Sequence, residues 1–203
     1  MATPKKQRIG IWILAAVMLV GTLGSFVVMI LANQNSQQDS AAQQKAYDEY
    51  MKQVEEQKAA EEAAGKVLSE KYYTTFAAYR DAPAEFDKDS VGDAVATKDL
   101  KVGDGAEINE NTKYKAYYIG WTPNGKVFDS SFDDKSLKAP IDTSVMSLID
   151  GWNQGVVGMK VGGVREITIP SDLAYGEEGS GENIGPNTPI KFIVMVIETV
   201  EGA

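Results

Sequence analysis

The chemistry open to this chain is bounded first by what it lacks, because its 203 residues include no histidine and no cysteine. That removes imidazole general bases, Ser-His-Asp and Cys-His nucleophile systems, disulfides and zinc sites built on His or Cys. What remains is carboxylates, hydroxyls, backbone amides and the shape of an apolar surface. One acidic run, Glu177, Glu178 and Glu182 in EEGSGEN, invites a calcium reading. Its spacing fits no EF-hand loop, so a solvated loop is expected there, with no metal and no cofactor. The aromatic residues are the other candidates. Taken singly, Phe128, Trp152 and Phe192 read as ordinary core, Tyr118 as a strand residue with a satisfied hydroxyl, and Asp129 as a turn cap.

The elements that must position these groups fall into three segments. Ile9 to Ala32 (IGIWILAAVMLVGTLGSFVVMILA) holds no charged residue and is long enough to cross a bilayer, with Trp12 near one end. Lys5, Lys6 and Arg8 precede it, and only Asp39 is charged from Asn33 to Ser40. The positive-inside rule then places the N-terminus in the cytoplasm and the rest across the membrane. A cleaved signal peptide is the competing reading, but the apolar run exceeds the usual h-region. A single-pass anchor over residues 1–33 is therefore the expectation.

From Ser40 to about Tyr79 the chain is rich in Ala, Gln, Glu and Lys, which favour helix, with i,i+4 pairs such as Asp48/Lys52. Its heptad-like stripe is interrupted at Gln57 and Glu61, so a solvated helical spacer is expected rather than a coiled coil. Gly65 is a weak point, and Leu68, Tyr72, Phe76 and Tyr79 form an apolar face able to dock. Arg80 to Gly92 is turn-rich and reads as a linker, giving a spacer-and-linker region over 34–93.

Beyond Ala94 the pattern turns to strands. Tyr114, Ala116 and Tyr118 alternate with Lys113, Lys115 and Tyr117, and Pro123-Asn124-Gly125 marks a hairpin. VREITI (Val164–Ile169) reads as a strand, and IKFIVMVI (Ile190–Ile197) is apolar on both faces, as in a central strand. Leu148 to Val157 is the one short helical candidate. The chain carries a net charge of −9, and its basic N-terminus makes the remainder more acidic still. Nucleic acid is excluded as a partner on that ground.

Four stretches in this region are similar to the FKBP family of peptidyl-prolyl cis/trans isomerases. They are YIGWTPNGKVFDSS from Tyr118, LIDGWNQGVVGMKVGGVREITIP from Leu148, LAYGEEGSG from Leu173 and IGPNTPIKFIVMVI from Ile184. The resemblance covers about half the chain. It implies an α+β fold over 94–203, an FKBP-like antiparallel β half-barrel wrapped around a short helix, with an apolar pocket between them. By the same resemblance, Tyr118, Phe128, Asp129, Ile149, Trp152 and Tyr175 carry the reaction. Ile141, Leu148, Ile184 and Phe192 complete the substrate wall, and Trp152 is its floor. The Ile149 N–H and the Tyr175 hydroxyl would hold substrate carbonyls, and Asp129 would be hydrogen-bonded near Tyr118. Macrolide inhibitors of the family would enter the same pocket.

Some positions depart from the family pattern. Gly185 replaces the first proline of an IPP turn, Ile141 and Thr143 stand at commonly aromatic positions, and Ser147 replaces a frequent acid. The resemblance implies an isomerase acting on X–Pro bonds of extracytoplasmic polypeptides and assisting their folding. The alternative is a module of the same fold that grips proline-containing segments with little turnover. Rotation about X–Pro needs no nucleophile, metal or proton shuttle, so a chain without His or Cys is adequate for it.

Overall fold

The computed structural model describes residues 40–144 and 146–200. The expected span Ile9–Ala32 lies outside them; among the described residues no helix is long and apolar enough to cross a membrane. Two compact units divide at Ala64/Gly65.

Helix α1 runs Ser40–Ala77. In the first unit its side chains are mostly exposed, as a spacer requires. The ion pair there is Lys52–Glu56 at 3.8 Å, not Asp48–Lys52, because Asp48 accepts from Gln44 Nε2 at 3.0 Å. Gly65 does not interrupt the helix: it continues to Ala77.

The second unit is built on an antiparallel sheet. Its strands are β1 (Ala96–Lys101), β2 (Tyr114–Trp121), β3 (Val127–Ser130), β6 (Ile141–Asp142), β7 (Val164–Ile169) and β8 (Ile190–Thr199), with β4 (Phe132–Asp133) and β5 (Ser136–Leu137) forming a separate small ribbon. The order is β1-β7-β8-β2-β3, with β6 also paired to β2. Strand β8 is central, as its two-sided apolar pattern requires. Ile190, Phe192, Val194 and Val196 enter one hydrophobic cluster, and Ile193, Met195 and Ile197 enter another. Strand periodicity divides β2 the same way: Tyr114, Ala116 and Tyr118 face the first cluster, Tyr117, Ile119 and Trp121 the second.

The first cluster is closed by the short helix α2 (Asp150–Val156), whose Trp152 and Val156 are buried in it. Two glycines let this helix lie close to β7. A Cβ on Gly151 would collide with Ile169, and one on Gly155 with Ile167. Arg165 fastens the helix end: Nη1 donates to the Gly155 and Val157 carbonyls, both at 3.0 Å, while Nε donates to Asp99 Oδ1 at 2.6 Å. One guanidinium thus ties β1, β7 and the last turn of α2 together.

The second cluster reaches ahead of the expected boundary at residue 94. The compact unit begins at Gly65, and Phe76 is fully buried against Tyr117 and Phe132, with Leu68, Tyr72 and Tyr79 around it. The outer sheet face carries Tyr117, Ile119, Trp121, Ile193, Met195 and Ile197; burying so much apolar surface requires a cover, and the end of α1 supplies it. The stretch read as a linker is also packed down. Phe86 N–H donates to the Pro123 carbonyl at 2.9 Å, and Trp121 Nε1 donates to the Ala84 carbonyl at 3.1 Å. Those backbone groups are held by the β2–β3 hairpin rather than by water. The hairpin itself turns as its sequence indicates, with Gly125 at φ +75° and Asn124 Oδ1 accepting from Lys126 N–H at 3.1 Å.

Candidate functional site

On the first-cluster face of the sheet, a cavity of about 340 Å³ opens between β2, β3, β8 and α2. Its wall contains Tyr118, Phe128, Asp129, Ile141, Leu148, Ile149, Trp152, Tyr175 and Phe192. Nine of the ten site residues expected from sequence therefore converge. Ile184 does not line it: it is buried in the underlying cluster, 5% exposed, and its backbone pairs with Ser180. Sequence spacing cannot separate a residue that supports a wall from one that forms its surface.

The aromatic rings pack edge to face. Trp152 and Phe192 have centroids 4.9 Å apart at 79°, Phe128 and Phe192 lie 5.5 Å apart at 86°, and Tyr118 and Trp152 lie 5.6 Å apart at 87°. Such contacts fix ring orientation, because each positive edge meets a negative face. With Trp152 only 3% exposed and Phe192 4%, the cavity floor is buried and apolar.

Asp129 has two partners. Its Oδ1 accepts from the Ser130 N–H at 2.8 Å, and its Oδ2 accepts from the Tyr118 hydroxyl. It is therefore both a local backbone cap and a site carboxylate. Burial, and then the bond to Asp129, push the Tyr118 hydroxyl far above the ordinary phenol range. Burial, with the Asp129 charge second, also raises Tyr175. Both phenols are thus held as neutral donors. Among the described residues neither the Tyr175 hydroxyl nor the Ile149 N–H has a protein acceptor, so two donors in the wall are free for a ligand. Ile149 occupies the N-cap of α2 with extended backbone, φ −62° and ψ 151°, which leaves its N–H outside the helical ladder.

Three residues escaped sequence reasoning. Gly120 lies under the rings: a Cβ there would sit 2.5 Å from Phe192 Cε1 and 2.7 Å from Phe128 Cζ. A glycine inside a strand signals such close approach and stood in plain sight between Ile119 and Trp121. Tyr114 shares the strand face of Tyr118, and its hydroxyl meets the Trp152 indole. Met146 lines the cavity with no signal in the sequence. Thr143, which stands at a commonly aromatic position, is a staple. Its Oγ1 accepts from Tyr114 N–H at 2.9 Å and donates to the Tyr114 carbonyl at 3.1 Å. A hydroxyl between two backbone groups has no reason to face a dry cavity.

The fold is an antiparallel sheet wrapped on a short helix, and the site is an aromatic cavity with two neutral donors in its wall. The family model for FKBP-type peptidyl-prolyl cis-trans isomerase matches residues 105–197. An "FK506-binding protein" of Neisseria meningitidis serogroup B is 38% identical over 104 residues, 51% of this chain and 94% of the relative. A "Probable FK506-binding protein" of Corynebacterium glutamicum is 41% identical over 101 residues, 49% of this chain and 81% of the relative. A solved peptidyl-prolyl cis-trans isomerase from Pseudomonas syringae pv. tomato is 31% identical, covering 64% of this chain and 92% of its own, with a TM-score of 0.47. The chain belongs to the FKBP-type peptidyl-prolyl cis-trans isomerase family, and it is an enzyme of that type.

Proposed function

We propose that this isomerase works on X–Pro bonds of polypeptides outside the cytoplasm, held at the membrane by Ile9–Ala32, and that it speeds their folding. The observation that supports the catalytic reading is the convergence of Phe128, Trp152 and Phe192 with two unpaired donors on one cavity.

The prolyl ring enters against Trp152, between Phe128 and Phe192. Rotation about C–N is slow because resonance gives the bond double-bond character, a barrier of roughly 18–20 kcal/mol. Planar resonance also places negative charge on the carbonyl oxygen, and twisting removes it. A dry aromatic wall disfavours the charge-separated planar form relative to the twisted one. The Ile149 N–H and the Tyr175 hydroxyl hold carbonyls of the segment, converting a floppy chain into an oriented one. Asp129 fixes the Tyr118 ring and its hydroxyl, so that the wall does not rearrange as the bond turns. An FK506-type macrolide, whose name the relatives carry, would occupy the same apolar volume.

The activity is tested with proline peptides and the folded variants Phe128→Ala, Asp129→Leu and Tyr175→Phe. Each should lower turnover in protein that remains folded by circular dichroism. Full activity in all three would remove these residues from the mechanism, and peptide binding without turnover in the parent would favour a binding module. External protease on intact cells tests the location: the isomerase domain should be cleaved while the N-terminus is protected.

A further inference from the structure

A second cavity, about 440 Å³, adjoins the first and shares Met146, Ser147 and Leu148 with it. Its character is different. Where the first is aromatic, this one is lined by Glu110, Lys113, Asp150, Asn153 and Gln154 above an apolar patch that includes Val156. It runs along the exposed side of α2 toward the loop before β2. Among the described residues Glu110, Lys113 and Asp150 form no ion pair, so their charges are not neutralised within the protein. Asn153 spends one amide hydrogen on the Leu148 carbonyl at 3.2 Å, which fixes its carboxamide beside the shared wall.

We propose that this second cavity is a subsite for the residues flanking the proline, and that it favours basic over acidic side chains there. The inference rests on the prolyl-pocket reading above. A polypeptide whose proline lies against Trp152 must leave the aromatic cavity, and the shared segment Met146–Leu148 gives it a continuous path into the polar one. Each extended residue advances roughly 3.3–3.6 Å, so the positions reached are those close to the prolyl bond on either side. Carboxamides at Asn153 and Gln154 suit the peptide groups of such a chain, which carry both donors and acceptors. Two carboxylates, Glu110 and Asp150, against one ammonium, Lys113, set the charge preference.

The test uses the whole chain and proline peptides bearing Lys or Glu at each of these positions, on either side. Turnover is followed by exchange spectroscopy at low salt, so that no coupling protease imposes its own preference. At one or two adjacent positions the Lys peptide should show kcat/KM about two- to fivefold above its Glu counterpart. Glu110→Lys should abolish or reverse that ratio and Lys113→Glu should enlarge it. Asp93→Lys makes the same change of net charge outside both cavities and should leave the ratio unchanged. A Lys/Glu ratio near one at every position overturns the subsite, as does a ratio that Glu110→Lys and Asp93→Lys change equally. In both cases normal turnover of the neutral peptide leaves the prolyl pocket standing. No turnover of the neutral peptide overturns both.

Discussion

The indole Nε1 of Trp152 donates a hydrogen bond to the hydroxyl of Tyr114 at 2.9 Å. Both residues are almost fully buried, 3% and 4% exposed, so neither group has water as an alternative partner. The bond crosses from α2 to the start of β2 and sets the plane of the Trp152 ring that lines the aromatic cavity.

Tyr114→Phe keeps the ring and deletes the acceptor. A buried N–H left without a partner costs about 1–3 kcal/mol. The melting temperature should fall by roughly 3–10 °C, because a domain of this size loses several degrees per kcal/mol. Indole fluorescence should shift, and kcat should fall more than the affinity for a bound macrolide. Unchanged melting and fluorescence would mean the bond does not hold the floor.

At Gly120 the constraint is steric. Gly120→Ala forces Phe128 and Phe192 apart, because the added Cβ would lie 2.5–2.7 Å from their ring carbons. Misplacing two walls of the cavity should lower kcat/KM about tenfold or more. Circular dichroism and turnover on the same sample distinguish this from loss of fold.

The end of α1 is part of the core. Phe76→Ala should cost about 3–5 kcal/mol, the range for emptying a buried aromatic site. A fragment starting at residue 65 should unfold cooperatively. One starting at residue 94 exposes the Tyr117, Ile193 and Ile197 face, and should be markedly less stable or associate. Equal denaturant midpoints for the two fragments would refute the role of α1.

Alkali should act through the buried tyrosines. Burial raises Tyr114 and Tyr117 from the ordinary 10.0 to about 12. The folded form therefore keeps these protons when the unfolded chain has lost them, and stability falls as pH rises from about 10 to about 12. Their stabilisation is fully present below pH 10 and is gone above 12. Between about pH 7 and 9 turnover should be flat, since Tyr118 and Tyr175 are both raised and the chain has no His or Cys to titrate. A bell-shaped profile in that window would require a proton-transfer step that the proposed mechanism lacks.

Much of the enzyme is legible in residue order. The alternation in Tyr114–Tyr118, the two-sided apolar run of β8 and the single short helical stretch follow from local periodicity, which needs no knowledge of partners. The motif stretches likewise carry eight residues of the cavity wall, because each motif keeps its own side chains in fixed local relation.

Contacts between distant segments were decided only by folding. Nothing in the composition of Leu68–Tyr79 says that Phe76 is buried at 0% exposure under Tyr117, while Glu61 on the same helix stays in solvent. Burial depends on which sheet face remains uncovered, and that is a property of the assembled β2 and β8. The Thr143 hydroxyl found two backbone partners on Tyr114, a pairing across 29 residues. The indole of Trp152 found the Tyr114 hydroxyl across 38 residues in the same way. Sequence determines which groups can hydrogen-bond and which must leave water. Only the close-packed tertiary structure, where most buried polar atoms are paired and the Tyr117 hydroxyl is an exception, decides with whom.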